Sequence, residues 1–202
     1  MRFATILGLL AIAAAAVMAF AATASATTGT DSAGGSAVEV IDPIHATNVG
    51  NTVLDGTPSV TCKKSTMRGT VSNSGSDGST LAAILSILTL EECGNNTVTV
   101  EKLGYVEAHT EGAVPNGNGT LTSTNVEVTV LTHNILGTVH CIYDTNATDL
   151  GRLDGSNNTG GTATITVDSA PLPRTGTDFG CGSTSELTAE YTVSTPDYLA
   201  ID

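Results

Sequence analysis

The chain has 202 residues, with 7 Lys and Arg against 20 Asp and Glu, 3% aromatic residues and no tryptophan. A chain this acidic is repelled by phosphate backbones and anionic lipid surfaces, and the bases after Arg2, namely Lys63, Lys64, Arg68, Lys102, Arg152 and Arg174, form no stripe. Nucleic acid is therefore excluded as a partner, and the charge reads as a solubility feature of an exported protein.

At the N-terminus Arg2 precedes an apolar run over 3–22, and Ala24, Ser25 and Ala26 follow. A basic start, an apolar stretch and a small-residue site make residues 1–26 a signal peptide, cleaved after Ala26. About 20 apolar residues could also span a bilayer as an uncleaved anchor; the small-residue site decides for cleavage, so no stable membrane span is expected afterwards. Losing Arg2 leaves 6 bases against 20 acids, a net charge of −14. Residues 27–37 (TTGTDSAGGSA) have nothing to bury and are expected to form a flexible leader. Residues 38–202 then suffice for one domain with a real core.

Strand periodicity recurs along that domain. Val38 and Val40 alternate with polar neighbours, as do Val126, Val128 and Val130; Val139, Cys141 and Tyr143; Ala163, Ile165 and Val167; and Leu187, Ala189, Tyr191 and Val193. Gly- and Asn-rich stretches at 72–79, 94–96, 115–119 and 155–161 separate the strands as turns. The run 81–90 (LAAILSILTL) is continuously apolar, and its flanking turns favour a strand buried on both faces over a short helix. Eight to ten short strands of this kind predict an all-β domain, an antiparallel β-sandwich, with a closed or partly open β-barrel as the alternative.

Cys62, Cys93, Cys141 and Cys181 all lie beyond the signal peptide. An even count in an oxidising compartment predicts two disulfides. The sequential pairing, Cys62 to Cys93 and Cys141 to Cys181, is expected because each bond then encloses one short run of neighbouring strands. No Cys-x-x-Cys or Cys-His spacing of the zinc type competes with this.

The constellations that could carry chemistry fail one by one. His45, His109, His133 and His140 form no chelating pair and read as solvent-facing strand positions. Asp144, Asn146 and Thr148 occupy the first three ligand positions of a calcium loop, but Asp149 and Gly155 stand where that loop needs glycine and glutamate, so a hairpin connection is expected. Glu91 and Glu92 are adjacent on a strand and point to opposite faces, which suits gatekeeping of an apolar strand rather than paired acid–base work. Leu172 to Gly176 spells LPRTG, a sortase pentapeptide, yet no apolar span and basic tail follow it, so it is expected to lie protected within the fold. Asn95, Asn118, Asn146 and Asn157 begin glycosylation sequons that mark surface turns.

Val60-Thr61-Cys62, Ser65, Gly69-Thr70-Val71, an apolar strand ending at Cys93, Cys141-x-Tyr143, and Cys181 followed by Tyr191-x-Val193-x-x-Pro196 occur in that order. This arrangement resembles a group of small exported actinobacterial β-proteins and is, more distantly, similar to exported proteins named as activators of alkane oxidation. The resemblance spans most of the mature chain and rests on cysteine placement and strand texture. It implies an exported β fold and supplies no catalytic residue.

The expected function is that of an exported non-catalytic structural or interaction protein, secreted or at the cell surface, whose partner is another macromolecule or a second copy of itself. The alternative is a carrier for a small apolar ligand such as a lipid or hydrocarbon, and an enzyme comes third. No cofactor, metal or catalytic residue is expected.

Overall fold

The computed structural model describes residues 28–32, 36–75, 80–110, 117–134, 137–156, 161–176 and 178–201; residues 1–26, expected to be a signal peptide, and Asn157 lie outside the described residues. Among the described residues thirteen strands are found, of which the first seven are β1 (Gly29–Thr30), β2 (Pro43–Asn48), β3 (Thr52–Asp55), β4 (Val60–Cys62), β5 (Lys64–Ser74), β6 (Leu81–Glu91) and β7 (Asn96–Thr110). The second half adds β8 (Gly119–Asn134), β9 (Gly137–Asp144), β10 (Thr148–Asp154), β11 (Thr164–Pro173), β12 (Thr184–Thr195) and β13 (Ala200–Ile201).

The main sheet runs β11-β10-β8-β7-β6-β5-β2-β12, every neighbour antiparallel, and β12 pairs back onto β11 from Thr164↔Thr192 to Pro173↔Thr184. Eight strands thus close on themselves. This corrects the sandwich expectation: the fold is all-β with two disulfides, as read from the sequence, but its inner faces belong to one closed barrel rather than two stacked sheets. Inward–outward alternation is the same in both architectures, so the sequence pattern could not separate them.

Closure depends on strands that coil sharply. Gly104 interrupts β7 at φ +54°, and a Cβ there would lie 2.2 Å from the Thr124 carbonyl oxygen on β8. Gly151, at φ +126° beside a register shift in the β8–β10 pairing, would place a Cβ 2.3 Å from the Thr166 carbonyl oxygen. At both positions two backbones approach more closely than any side chain permits.

The barrel has distinct ends. At the upper end β1 pairs β13, Gly29↔Ile201 and Thr30↔Ala200, and Val38, Leu199 and Ile201 are buried beneath them. The segment expected to be a flexible leader therefore contributes a strand. At the lower end Cys62–Cys93 ties β4 to the loop after β6, and Cys141–Cys181 ties β9 to the loop before β12, as the expected pairing requires. β6 and β7 pair only from Leu81↔Ala108 to Ile84↔Tyr105; residues 85–91 have no ladder partner on β7. β9 and β10 lie end to end along one edge of β8, so the Asp144–Thr148 stretch is a break within a strand path and not the hairpin expected.

Two strand expectations change in detail. Residues 81–90 form a strand, but only one face is buried: Leu81, Ala83, Leu85 and Leu90 point inward, while Ile84 is 54% and Ile87 39% exposed. A register shift against β5 inserts Ser86 as an extra residue, which lets an unbroken apolar run serve a one-sided strand. Val38 is buried, yet Val40 is exposed and lies before β2 rather than in a strand.

Gly104→Ala is expected to cost about 2 kcal/mol or more, from a left-handed backbone plus a backbone clash. Gly94→Ala, at φ +67° with nothing within 4 Å, should cost only about 1 kcal/mol. Urea unfolding of the two variants checks the contrast, and equal losses would refute the close-approach argument.

Candidate functional site in the barrel interior

The buried side chains form two clusters. The upper one gathers Leu81, Ala108, Leu121, Leu153, Ile165 and Val193 among others; the lower one gathers Leu54, Leu85, Leu90, Val126, Val128 and Leu172. Met67, Val106 and Leu187 touch both. Between the clusters lies a cavity of about 120 Å³, bounded by residues of each: Leu121, Leu153 and Ile165 above, Leu85, Leu88 and Val126 below. An eight-stranded barrel has an interior that side chains can just fill or that can hold one small ligand.

The lining is aliphatic except at four places, and each polar group there is already engaged. Tyr191 Oη lies 2.8 Å from Ser65 Oγ. Tyr143 Oη donates to the Thr57 carbonyl at 3.1 Å. Ser123 Oγ donates to Thr145 Oγ1 at 3.2 Å, and Thr145 Oγ1 also accepts from the Val126 amide at 2.9 Å. Each of these hydroxyls thus has a hydrogen-bond partner within the protein, and the rest of the wall holds a guest by apolar contact. Burial raises the phenol pKa of both Tyr143 and Tyr191, and nearby Arg174 and Ser65 respectively oppose the rise.

β8 shows how the sequence builds this wall. Leu121 and Ser123 face inward at odd positions, whereas Val126, Val128 and Val130 face inward at even ones. Asn125, at φ 63°, takes up the extra residue that changes the parity. The switch from odd to even apolar positions around Asn125 was the available signal for the Ser123–Thr145 pair.

The residues singled out from sequence do not converge. His45, His109, His133 and His140 sit on four different strands, His133 beside Thr138 at 3.0 Å. Among the described residues no group of three or more His, Cys, Asp or Glu side chains could hold a metal ion. Glu92 pairs with Lys64 at the lower end, and Glu91 is exposed at the end of β6. Within LPRTG, Leu172 is 2% exposed in the lower cluster, Tyr143 bridges Arg174, and the Arg174 guanidinium donates to the Cys181 carbonyl at 2.8 Å. Leu172 and Pro173 end β11, and within the motif Pro173 and Thr175 are exposed, so its protection is limited to Leu172 and the Arg174 contacts. Among the described residues no helix is long and apolar enough to cross a membrane.

The tyrosines give the interior an alkaline limit. A raised folded-state pKa means the folded protein keeps its protons longer, so their stabilising contribution is complete below the ordinary phenol value of 10.0 and is lost as pH rises through the folded value. Tyr143→Phe/Tyr191→Phe should unfold more easily at pH 8, by about 1–3 kcal/mol for two lost hydrogen bonds, yet lose less stability than the parent between pH 10 and 11.5. Urea midpoints across that range are the measurement; parallel losses in both proteins would refute the assignment. Comparison with protein-family models, with curated proteins and with solved structures finds no match for this chain in any of the three.

Proposed function

We propose that the protein is a non-catalytic binding protein for a small, uncharged, apolar molecule held inside the barrel. The observation that carries this reading is the cavity of about 120 Å³ with a largely aliphatic lining, whose four polar side chains each have a hydrogen-bond partner within the protein. An apolar cavity of about 150 Å³ stays dry and takes up benzene or xenon, and drug-sized pockets begin near 300 Å³. The guest is accordingly of benzene size or a short hydrocarbon segment, not a whole long-chain lipid. Sequence alone favours a structural or interaction role because it implies a closely packed sandwich; the closed barrel with a void removes that premise. The two disulfides suit an oxidising compartment, which fits a secreted or cell-surface location.

A second reading, self-association or docking on a macromolecule, draws on the exposed side chains of Val40, Ile41, Ile84 and Phe179. The two readings separate cleanly in solution. Titrating methyl-labelled protein with benzene or hexane should move the Leu121, Leu153 and Ile165 methyl signals saturably. Ala83→Leu, which adds bulk to the lining, should weaken that binding at least about tenfold while the protein stays folded. Absence of saturable shifts at those methyls, with concentration-dependent sedimentation instead, would overturn the proposal in favour of the second reading.

A further inference from the structure

Four hydroxyl side chains border the interior cavity: Ser123, Tyr143, Thr145 and Tyr191. A hydroxyl has one proton to donate and two lone pairs that accept. Tyr143 donates its proton to the Thr57 carbonyl. Tyr191 and Ser65 share one bond between two hydroxyls, so one proton is left over there; the buried Thr52 Oγ1, otherwise unbonded, stands beside Tyr191 and is placed to accept it.

Ser123 on β8 and Thr145 between β9 and β10 differ from these, because both members of the pair line the cavity and no such third oxygen adjoins them. They are 2% and 5% exposed. The Val126 amide donates to Thr145 Oγ1 at 2.9 Å and holds that oxygen as an acceptor, and the two hydroxyls lie 3.2 Å apart. Whichever of them donates to the other, the second proton remains. Among the described residues neither side chain has a further hydrogen bond. A buried donor without an acceptor is costly and uncommon in folded proteins. The protein supplies no acceptor, so one has to come from the void that both residues border. Water suits the place poorly: a buried water needs roughly two to four polar partners, and the neighbouring lining residues on β8, Leu121, Val126 and Val128, are aliphatic.

We propose that the guest is an oxygenated hydrocarbon, a neutral molecule of benzene size whose single carbonyl or ether oxygen accepts the remaining proton of the Ser123–Thr145 pair. This rests on the interior-binding reading above and adds a chemical class to it. A carboxylate is ruled out by the same wall, since it would be stripped of water in return for one hydrogen bond.

Cyclopentanone and methylenecyclopentane share one shape and differ only in oxygen against CH₂, which makes them the probes. Each is titrated into ¹³C-methyl-labelled protein, with the Leu121 and Leu153 methyls reporting occupancy of the cavity. The carbonyl stretch of protein-bound cyclopentanone is expected at lower wavenumber than in hexane, the signature of an accepted hydrogen bond. In Ser123→Ala/Thr145→Val that displacement should vanish, and affinity for cyclopentanone relative to methylenecyclopentane should fall about tenfold. Both substitutions are needed, because either hydroxyl alone still carries a proton without an acceptor. The double variant also deprives the Val126 amide of its partner; where it does not fold, the infrared spectrum of the parent protein decides. A bound carbonyl stretch equal to that in hexane, or unaltered relative affinity in a folded double variant, would overturn the oxygen-acceptor proposal while hydrocarbon binding stands. Saturable binding of neither probe would overturn both this proposal and the reading on which it rests.

Discussion

The architecture depends on places where one backbone lies against another with no room for a side chain, the two tightest at glycines with positive φ. Gly104 rests on the Thr124 carbonyl and Gly151 on that of Thr166. Each lets its strand bend inward relative to the next, and the accumulated coil brings β12 around to β11. With an ordinary residue at either point the strands would have to move apart, and an open sheet would present edges ready to pair with other chains. The extra residues Ser86 and Asn125 serve the same end by returning apolar side chains to the inner face after each bend.

Closure also divides the molecule chemically. Inside, Tyr191 meets Ser65, Tyr143 meets the Thr57 carbonyl and Ser123 meets Thr145, so the few polar side chains that border the void are hydrogen-bonded within the protein and the rest of the surface is aliphatic. Outside, Arg68 and His45 stand in register on β5 and β2, and Arg68 is exposed. A single wall, β2 with β5 and β6, therefore offers hydrocarbon to one side and a cation to the other.

Much of this was legible in the residues. Alternation placed Val126, Val128, Val130, Cys141, Tyr143, Ile165, Val167, Ala189, Tyr191 and Val193 inward, and all are buried. The cysteine spacing led to the observed bonds because sequence neighbours among these strands are spatial neighbours. Closure was not legible, since a half-buried strand looks the same in a sandwich and a barrel. The 81–90 run misled for a specific reason: a bulge makes apolar residues adjacent in sequence without making the strand two-sided. The interior cavity and the Arg68–His45 pairing depend on cross-strand register, which no local pattern contains.

The uneven fastening of the two ends has a kinetic consequence. Covalent bonds hold β4, β9 and their neighbouring loops at the lower end, whereas the upper end is covered by β1 and β13, joined to each other through two residue pairs. Sub-global opening follows the weakest cooperative unit. Breathing of the shell is thereby directed to the side nearest Leu199 and Ile201, and exchange of a guest with solvent would follow that motion while the cross-linked base stays shut, as a flask exchanges its contents only through the stopper.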